Sequence, residues 1–484
     1  MGRTRDFDCR AVLNFCAVTR LFMETTSHGL RRELKLRDLV MMQVVLIVGF
    51  NWTGFAAKQG SSQVLLWLIA ILLFYLPLAA VVMKLSRAMP MEGGVYQWAR
   101  GGISPFAGYM AGWSVTTYAV VIFASTGSAL ANGFAWAAGP GGAGMGTSRW
   151  FALLLTGTFC LIAWFVNVRG LHLAKWLSDS CAVLWVATVL VLLYLLVRAL
   201  FMGGLAARGA VSFTWPEFSL LTVGVLAKMS IGALSGFDNS AVFAEECRKP
   251  ENDVALSVLI AAPAIALMYV LTTASLLAYT PPANIDLAAP IQQGIHAGFG
   301  NGVLGKALTM ILVGIFSYAL IASGVILIGM VSRLPMVAGW DGLLPGWWSE
   351  LHPTWRTPFK AIGSVCAALM LMAVLSLWGA ANQEAVQALT GVAMAALCVM
   401  YMLLFGVILF GFRNTPQPPG LAIRLGALAA FVVALVSFVL QIVALGEVND
   451  SAVFAAKVGA GILLTNGLGA YLYWNGARKL RETR

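Results

Sequence analysis

Long apolar runs, each about the length that crosses a lipid bilayer, follow one another along almost the whole chain. A transmembrane helix needs ~20 residues, and the polar or basic segments between the runs separate twelve of them. The predicted spans cover residues 39–57, 63–83, 104–134, 149–166, 176–202, 218–245, 255–280, 303–333, 360–379, 385–411, 422–446 and 453–475. The pattern predicts an all-α integral membrane protein without a separate soluble domain.

The composition agrees with a chain that lies in lipid. Hydrophobic residues make up 60% of it and charged residues 11%, whereas a soluble protein carries roughly 25% charged residues. The seven cysteines form no CxxC pair, so they are interpreted as packing residues rather than as a disulfide or zinc framework. No metal and no cofactor is expected.

The basic residues are unevenly distributed between the two sides that twelve spans would create. The termini and the loops after spans 2, 4, 6, 8 and 10 hold 24 lysines and arginines, and the other side holds six. Basic residues accumulate in the cytoplasm. We therefore expect both termini to be cytoplasmic in a multi-pass protein of the inner membrane. The net charge of +11 reflects this topology, so no nucleic-acid partner is expected.

The N-terminal residues 1–38 form a predicted cytoplasmic extension. Ala11 to Val18 is a short apolar stretch between Arg10 and Arg20, superficially like a signal peptide but without a convincing cleavage site. Met23 is an alternative start, and whether residues 1–22 belong to the mature protein is left open.

Motifs of known enzymes and pumps are missing from the sequence. The four histidines are far apart with no HExxH pattern, and no glycine-rich loop is followed by Lys and then Ser or Thr. Both would be expected of common metalloenzymes or ATP-driven pumps. An enzymatic function is not expected.

Spans 1 and 6 concentrate glycines and polar residues in mid-membrane, where other spans have leucine and valine. The segments are Gly49-Phe50-Asn51-Trp52-Thr53-Gly54 and Gly232-Ala233-Leu234-Ser235-Gly236-Phe237-Asp238-Asn239-Ser240. Each alone would suit close helix packing. Together, five spans apart, they indicate two repeats, 39–202 and 218–411, followed by residues 422–484. Inverted-repeat transporters break the first helix of each repeat near the midplane.

Several motifs in the same order as in a known family strengthen this interpretation. The family patterns are "sGfE…AeEvknP", "P.aGG.Y…GF..GW", "N.rG" and "sR…dGllP…hP…tP". The matching residues here are Ser235 to Asp238 with Ala244 to Pro250; Pro90, Gly93 to Tyr96, Gly108 and Gly112-Trp113; Asn167 to Gly170; and Ser332-Arg333, Asp341 to Pro345, His352-Pro353 and Thr357-Pro358. The chain therefore resembles the amino acid–polyamine–organocation superfamily from span 2 to span 9.

The resemblance implies the LeuT-type five-plus-five fold, alternating access, and a substrate held between broken spans 1 and 6. Backbone amides around Thr53, Gly54 and Phe55 would bind the carboxylate, and carbonyls of Gly232, Ala233 and Leu234 would bind the ammonium. The expected substrate-binding residues are Gly49, Phe50, Asn51, Trp52, Thr53, Gly54, Phe55, Gly232, Ala233, Leu234, Ser235, Gly236 and Phe237. Asp238 occupies the position of the family's span-6 glutamate.

Some positions depart from the family pattern. Gly232 stands where relatives have a gating aromatic, which predicts extra space on the outer side of the pocket, and Phe50 and Trp52 bring bulk into the pocket from span 1. The expected preference is for bulky apolar amino acids. Trp185 stands where some members have a lysine that substitutes for sodium, and the paired hydroxyls of a sodium site are reduced to Ala322-Ser323. Sodium coupling is therefore not expected, and proton coupling and exchange both remain open.

Two buried ionisable residues are candidates for coupling, because a charge within a bilayer is costly. Asp238 is either a proton site or a structural carboxylate satisfied by free amides of the broken helix. Lys228 is either a countercharge or substrate contact, or a side chain that extends to the outer interface, which we favour.

We expect a secondary transporter of amino acids. The alternatives are a carrier of polyamines or other small organic amines, and a transporter-like sensor or partner subunit without flux. The sequence leaves the exact substrate, the coupling ion, the direction of transport and the oligomeric state open.

Overall fold

The computed structural model describes residues 34–49, 51–89, 94–138, 143–202, 212–217, 219–239, 247, 250–285, 290–300, 302–337, 346–377, 382–411, 418–443 and 450–482. Within these ranges the secondary structure is helical, apart from an isolated parallel bridge between Leu34 and Cys247. The prediction of an all-α protein is confirmed.

The helices are numbered here in chain order. They are α1 (Leu36–Ile47), α2 (Asn51–Ala57), α3 (Gly60–Ala88), α4 (Val95–Gly102), α5 (Pro105–Ala124), α6 (Thr126–Ala138), α7 (Ala143–Thr147), α8 (Arg149–Arg169), α9 (Leu171–Phe201), α10 (Leu220–Ala233), α11 (Pro250–Tyr279), α12 (Pro290–Phe299), α13 (Val303–Val337), α14 (Phe359–Leu377), α15 (Asn382–Gly406), α16 (Leu421–Leu440) and α17 (Ser451–Glu482). A π-helical turn, Ile71–Tyr75, lies within α3, and another, Val407–Gly411, continues α15.

Most of the predicted spans coincide with one long helix. Ten helices in the described part of the chain are long and apolar enough to cross a bilayer. Predicted spans 1 and 6 are not among these ten, because their described parts form shorter helices: α1 and α2 in span 1, and α10 in span 6. The total of twelve spans stays a prediction.

Local sequence signals set several helix starts. The hydroxyl oxygens of Ser104, Ser148 and Ser219 accept hydrogen bonds from backbone N–H groups three residues on, at 3.1, 3.3 and 3.1 Å. Such caps satisfy amides that have no partner within the helix. Between the caps, lipid offers no hydrogen bonds, so each span must pair its backbone internally.

Ion pairs join the beginnings of α1 and α9. Arg37 lies 3.2 Å from Asp179, and the ammonium of Lys175 lies 2.6 Å from the carboxylate of buried Asp38. We call the end of the bundle where these two helices begin the N-terminal end. The bridge from Leu34 to Cys247 places Cys247 near the same end.

Candidate functional site

Span 1 is interrupted between α1 and α2, and a tyrosine from α11 satisfies the interrupted backbone. The hydroxyl of Tyr269 donates to the carbonyl of Ile47 at 2.7 Å and accepts from the N–H of Gly49 at 2.8 Å. Trp67 stacks on the Tyr269 ring with centroids 4.7 Å apart, and its indole N–H donates to Thr273. The hydroxyl is thus held in place by a buried aromatic pair.

The interruption in span 1 is shorter than the glycine-rich and polar segment. Helix α2 begins at Asn51, so Asn51 to Gly54 are helical. Thr53 lies in the first turn of α2, and Phe55 lies in the next turn. Predicted residue Phe50 lies outside the described residues, as does the side chain of Asn51.

Span 6 is interrupted after Ala233, where α10 ends. Gly236 follows with φ +122°, a backbone conformation that only glycine adopts without strain. Its N–H donates to the hydroxyl of Tyr401 at 2.9 Å, and the same hydroxyl donates to Oδ1 of Asp238 at 2.8 Å. Tyr401, from α15, therefore forms hydrogen bonds at the span-6 break, as Tyr269 does at the span-1 break.

The two breaks lie against each other. A Cβ built on Gly236 would lie 3.0 Å from Cγ1 of Ile47, the last residue of α1. Ala233, Leu234, Ser235 and Phe237 are buried around this contact. The structure thus brings together the two segments that the sequence separates by five spans.

The space beside Gly232 is filled, which corrects the prediction of an enlarged pocket. A Cβ built on Gly232 would overlap Cζ2, Cε2 and Cη2 of Trp52. The indole crosses from span 1 onto the last turn of α10 because glycine leaves room for it there. The expectation of a bulky substrate rested on that space, and it is withdrawn.

Asp238 is buried, and it borders a small, narrow cleft. Its other lining residues come from α4, α5, α13 and the segment after Asp238: Val95, Tyr96, Ala111, Gly112, Val115, Met330, Leu334 and Asn239.

Lys228, the second coupling candidate, lies on α10 away from both breaks. Its side chain is buried, and its ammonium donates to the backbone carbonyl of Val443 at 2.6 Å. Val443 follows the end of α16, where the helix dipole favours a cation. The ammonium thus has a structural partner at that helix end.

Sequence reasoning missed Tyr269 and Tyr401, the residues that hold the two breaks. A buried tyrosine hydroxyl in an apolar span requires a hydrogen-bond partner, and that signal marks both residues. The signal does not identify the partner of either hydroxyl. Tyr269 and Tyr401 lie 220 and 165 positions from the glycines whose N–H groups donate to them.

Comparison with known proteins assigns the chain to a family. The sequence profile described as Amino acid permease matches residues 34–463. This chain belongs to the amino acid permease family. Its relatives include an uncharacterized transporter of Legionella pneumophila, 25% identical and aligned over 66% of this permease and 69% of the relative. Another is the low-affinity putrescine importer PlaP of Escherichia coli, 25% identical over 72% and 75% of the two chains. The permease is a multi-pass membrane transporter.

A solved structure shares the fold. The crystal structure of MhsT in complex with L-phenylalanine superimposes with a TM-score of 0.59 at 15% sequence identity. The likeness covers 85% of this permease and 100% of the other chain. The predicted LeuT-type fold with interrupted spans 1 and 6 is confirmed.

Proposed function

We propose that this permease carries amino acids by alternating access, with the substrate bound between the breaks of spans 1 and 6. The contact of Trp52 with Gly232 carries this proposal, because it brings the first turn of α2 against the last turn of α10. The family assignment supports the substrate class.

The backbone groups at the two breaks suit the two charged groups of an amino acid. The first turn of α2 presents amides and the positive end of a short helix dipole, which favour a carboxylate. The last turn of α10 ends at Ala233 and presents carbonyls, which favour an ammonium. Gly232, Ala233 and Leu234 would supply these carbonyls, and Gly54 would supply an amide.

An amine without a carboxylate is the second candidate, favoured by the resemblance to a putrescine importer. Such a substrate would use the carbonyls of α10 and leave the amides of α2 without an anion. The chemistry of the two helix ends therefore favours the amino acid.

Asp238 is the proposed coupling residue. It is buried at the break, its Oδ1 accepts from Tyr401, and a small cleft lies beside it. A proton would reach the carboxylate through that cleft and leave it as the spans rearrange. We place the permease in the cytoplasmic (inner) membrane with both termini in the cytoplasm, on the distribution of basic residues.

Ligand-dependent melting of the purified permease tests the substrate class. The panel contains amino acids, their decarboxylated amines, and putrescine. A ligand at 100 times its Kd stabilises the folded state by about 2.7 kcal/mol, so we expect amino acids to raise the melting temperature and the matched amines to leave it unchanged. Stabilisation by the amines but not by the amino acids would contradict the proposal and indicate an amine carrier.

Uptake into proteoliposomes separates transport from sensing. An amino acid that stabilises the permease should also accumulate in vesicles that contain it, and should not accumulate in vesicles without protein. Stabilisation without any uptake or exchange would identify a sensor rather than a carrier.

A further inference from the structure

The indole of Trp52 bridges the two interrupted spans. Its Cδ1 lies 3.4 Å from a Cβ built on Gly49, at the break of span 1, and its six-membered ring covers Gly232 on α10. Glycine at position 232 leaves room for the flat ring, whereas a Cβ at position 49 would only touch it. The three residues form one unit, which we call the Trp52 bridge.

The Trp52 bridge is less buried than the residues next to it. Thr53, Ile231 and Ala233 are fully buried, whereas Trp52, Gly49 and Gly232 are half-buried. The indole N–H groups of Trp67, Trp98 and Trp113 each donate to a protein oxygen. In the part of the chain that the structure describes, the indole N–H of Trp52 has no such acceptor, so it is available to a ligand.

We propose that the Trp52 ring sets the size of the substrate pocket and restricts it to amino acids with small side chains. The inference rests on the proposed function, since it concerns the same site. A ring from span 1 closes the space over Gly232, so the space above the two helix ends holds the charged groups of the substrate and little more.

Shortening Trp52 should enlarge the pocket. A hydrophobic pocket discriminates a single methylene by about 10- to 200-fold. The unaltered permease should therefore bind glycine, alanine and serine more tightly than leucine and phenylalanine. In Trp52→Ala, we expect the affinity for leucine or phenylalanine relative to alanine to rise at least about tenfold.

The contact itself is testable without any substrate. Gly232→Ala adds a Cβ where the ring lies, and it should lower the melting temperature of the ligand-free permease. The same substitution in the Trp52→Ala background should lower it much less, because the ring is absent. Equal effects in both backgrounds would mean that Trp52 does not cover Gly232. If Gly232→Ala fails to fold, recovery of folded protein in Trp52→Ala/Gly232→Ala reports the same coupling.

A second tryptophan–glycine contact in the chain provides the matched control. A Cβ built on Gly469 of α17 would overlap the indole of Trp113 of α5, and the indole N–H of Trp113 donates to the carbonyl of Thr465. Trp113→Ala and Gly469→Ala should also show coupled melting temperatures. Trp113→Ala should keep the size order of the unaltered permease, because this contact lies outside the two breaks.

The decisive experiment measures affinities for glycine, alanine, valine, leucine and phenylalanine in the unaltered permease, Trp52→Ala and Trp113→Ala. A shift toward large substrates in Trp52→Ala alone supports the inference. An unchanged size order in Trp52→Ala, or a preference for phenylalanine in the unaltered permease, overturns it. Failure of every amino acid to bind any of the three proteins would instead reject the proposed substrate class, while the melting-temperature coupling would still report the contact.

Discussion

At the scale of single residues, one tyrosine hydroxyl stands in for lost backbone hydrogen bonds at each break. An interrupted helix leaves amides and carbonyls without partners, and in the absence of water each one costs free energy. Tyr269 pairs one amide and one carbonyl in span 1, and Tyr401 pairs one amide and the Asp238 carboxylate in span 6. Because a hydroxyl donates and accepts at once, one side chain serves two groups.

Removal of these hydroxyls should destabilise the permease. Tyr401→Phe leaves the buried Gly236 amide unpaired and removes the hydroxyl that donates to the Asp238 carboxylate, and we expect a loss of about 1–3 kcal/mol in the free energy of unfolding. Tyr269→Phe should cost less, because Gly49 is half-buried. Melting in detergent measures both. Tyr471→Phe, whose side chain is exposed on α17, is the control and should melt like the unaltered permease. Equal melting of all three variants would contradict the assigned role.

Asp238→Asn tests proton coupling at nearly constant volume. If the carboxylate carries the proton, the variant should lose most of the pH dependence of uptake, while its affinity for the substrate stays within about threefold, less than 1 kcal/mol. Uptake between pH 5 and pH 8 and binding at one pH are the two measurements. Normal uptake with an unchanged pH profile would assign Asp238 a structural role as the partner of Tyr401.

At the scale of helices, crossed ion pairs tie α1 to α9 at the N-terminal end. The two pairs differ in burial: the Arg37 side chain is 71% exposed, whereas the Asp38 side chain is 4% exposed and also accepts from the Lys35 amide at 2.8 Å. Exposed pairs contribute little because water and salt screen them. The buried Asp38 depends more strongly on its partner, because an unpaired buried charge is costly.

Two alanine substitutions should therefore differ in effect. Lys175→Ala should lower the free energy of unfolding by about 1.5–3 kcal/mol, the usual value of a hydrogen bond to a charged group. Arg37→Ala should lower it by at most about 1 kcal/mol. Melting at low and high salt measures both, and Lys175→Arg is the control that keeps the charge. A larger loss from Arg37→Ala would show that the exposed pair holds the helices together.

At the scale of the whole molecule, the side of the membrane that each loop occupies follows from an even number of spans. Reporter fusions at Gly60, Gly142 and Asn301 should lie outside, and fusions at Arg248 and at the C-terminus should lie inside. Positions 142, 248 and 301 fall outside the described residues, so their predicted locations rest on the charge distribution alone. Termini on opposite sides would rule out twelve spans. Shifting the basic residues should alter the orientation.

Much of the fold was predictable because a bilayer makes secondary structure a local property. Lipid rewards apolar runs of helical length wherever they occur, so predicted spans 149–166 and 303–333 coincide with α8 and α13 to within a few residues. Helix α12, between spans 7 and 8, was not predicted, because it is too short to span and carries no strong apolar run.

The sequence by itself determined the membrane class, the long helices, the glycine-rich interruptions of spans 1 and 6, and the family. Each of these features depends on residues that are close in the sequence, through hydropathy, glycine content and the order of motifs. Only the tertiary structure decided what meets across the site: Tyr269 and Tyr401 at the breaks, Trp52 over Gly232, and Lys175 beside Asp38. These partners lie between 137 and 220 positions apart in the chain. The packing of helices against one another determines these partners. The space that Gly232 leaves, for example, is occupied by Trp52 because α2 packs against α10 there.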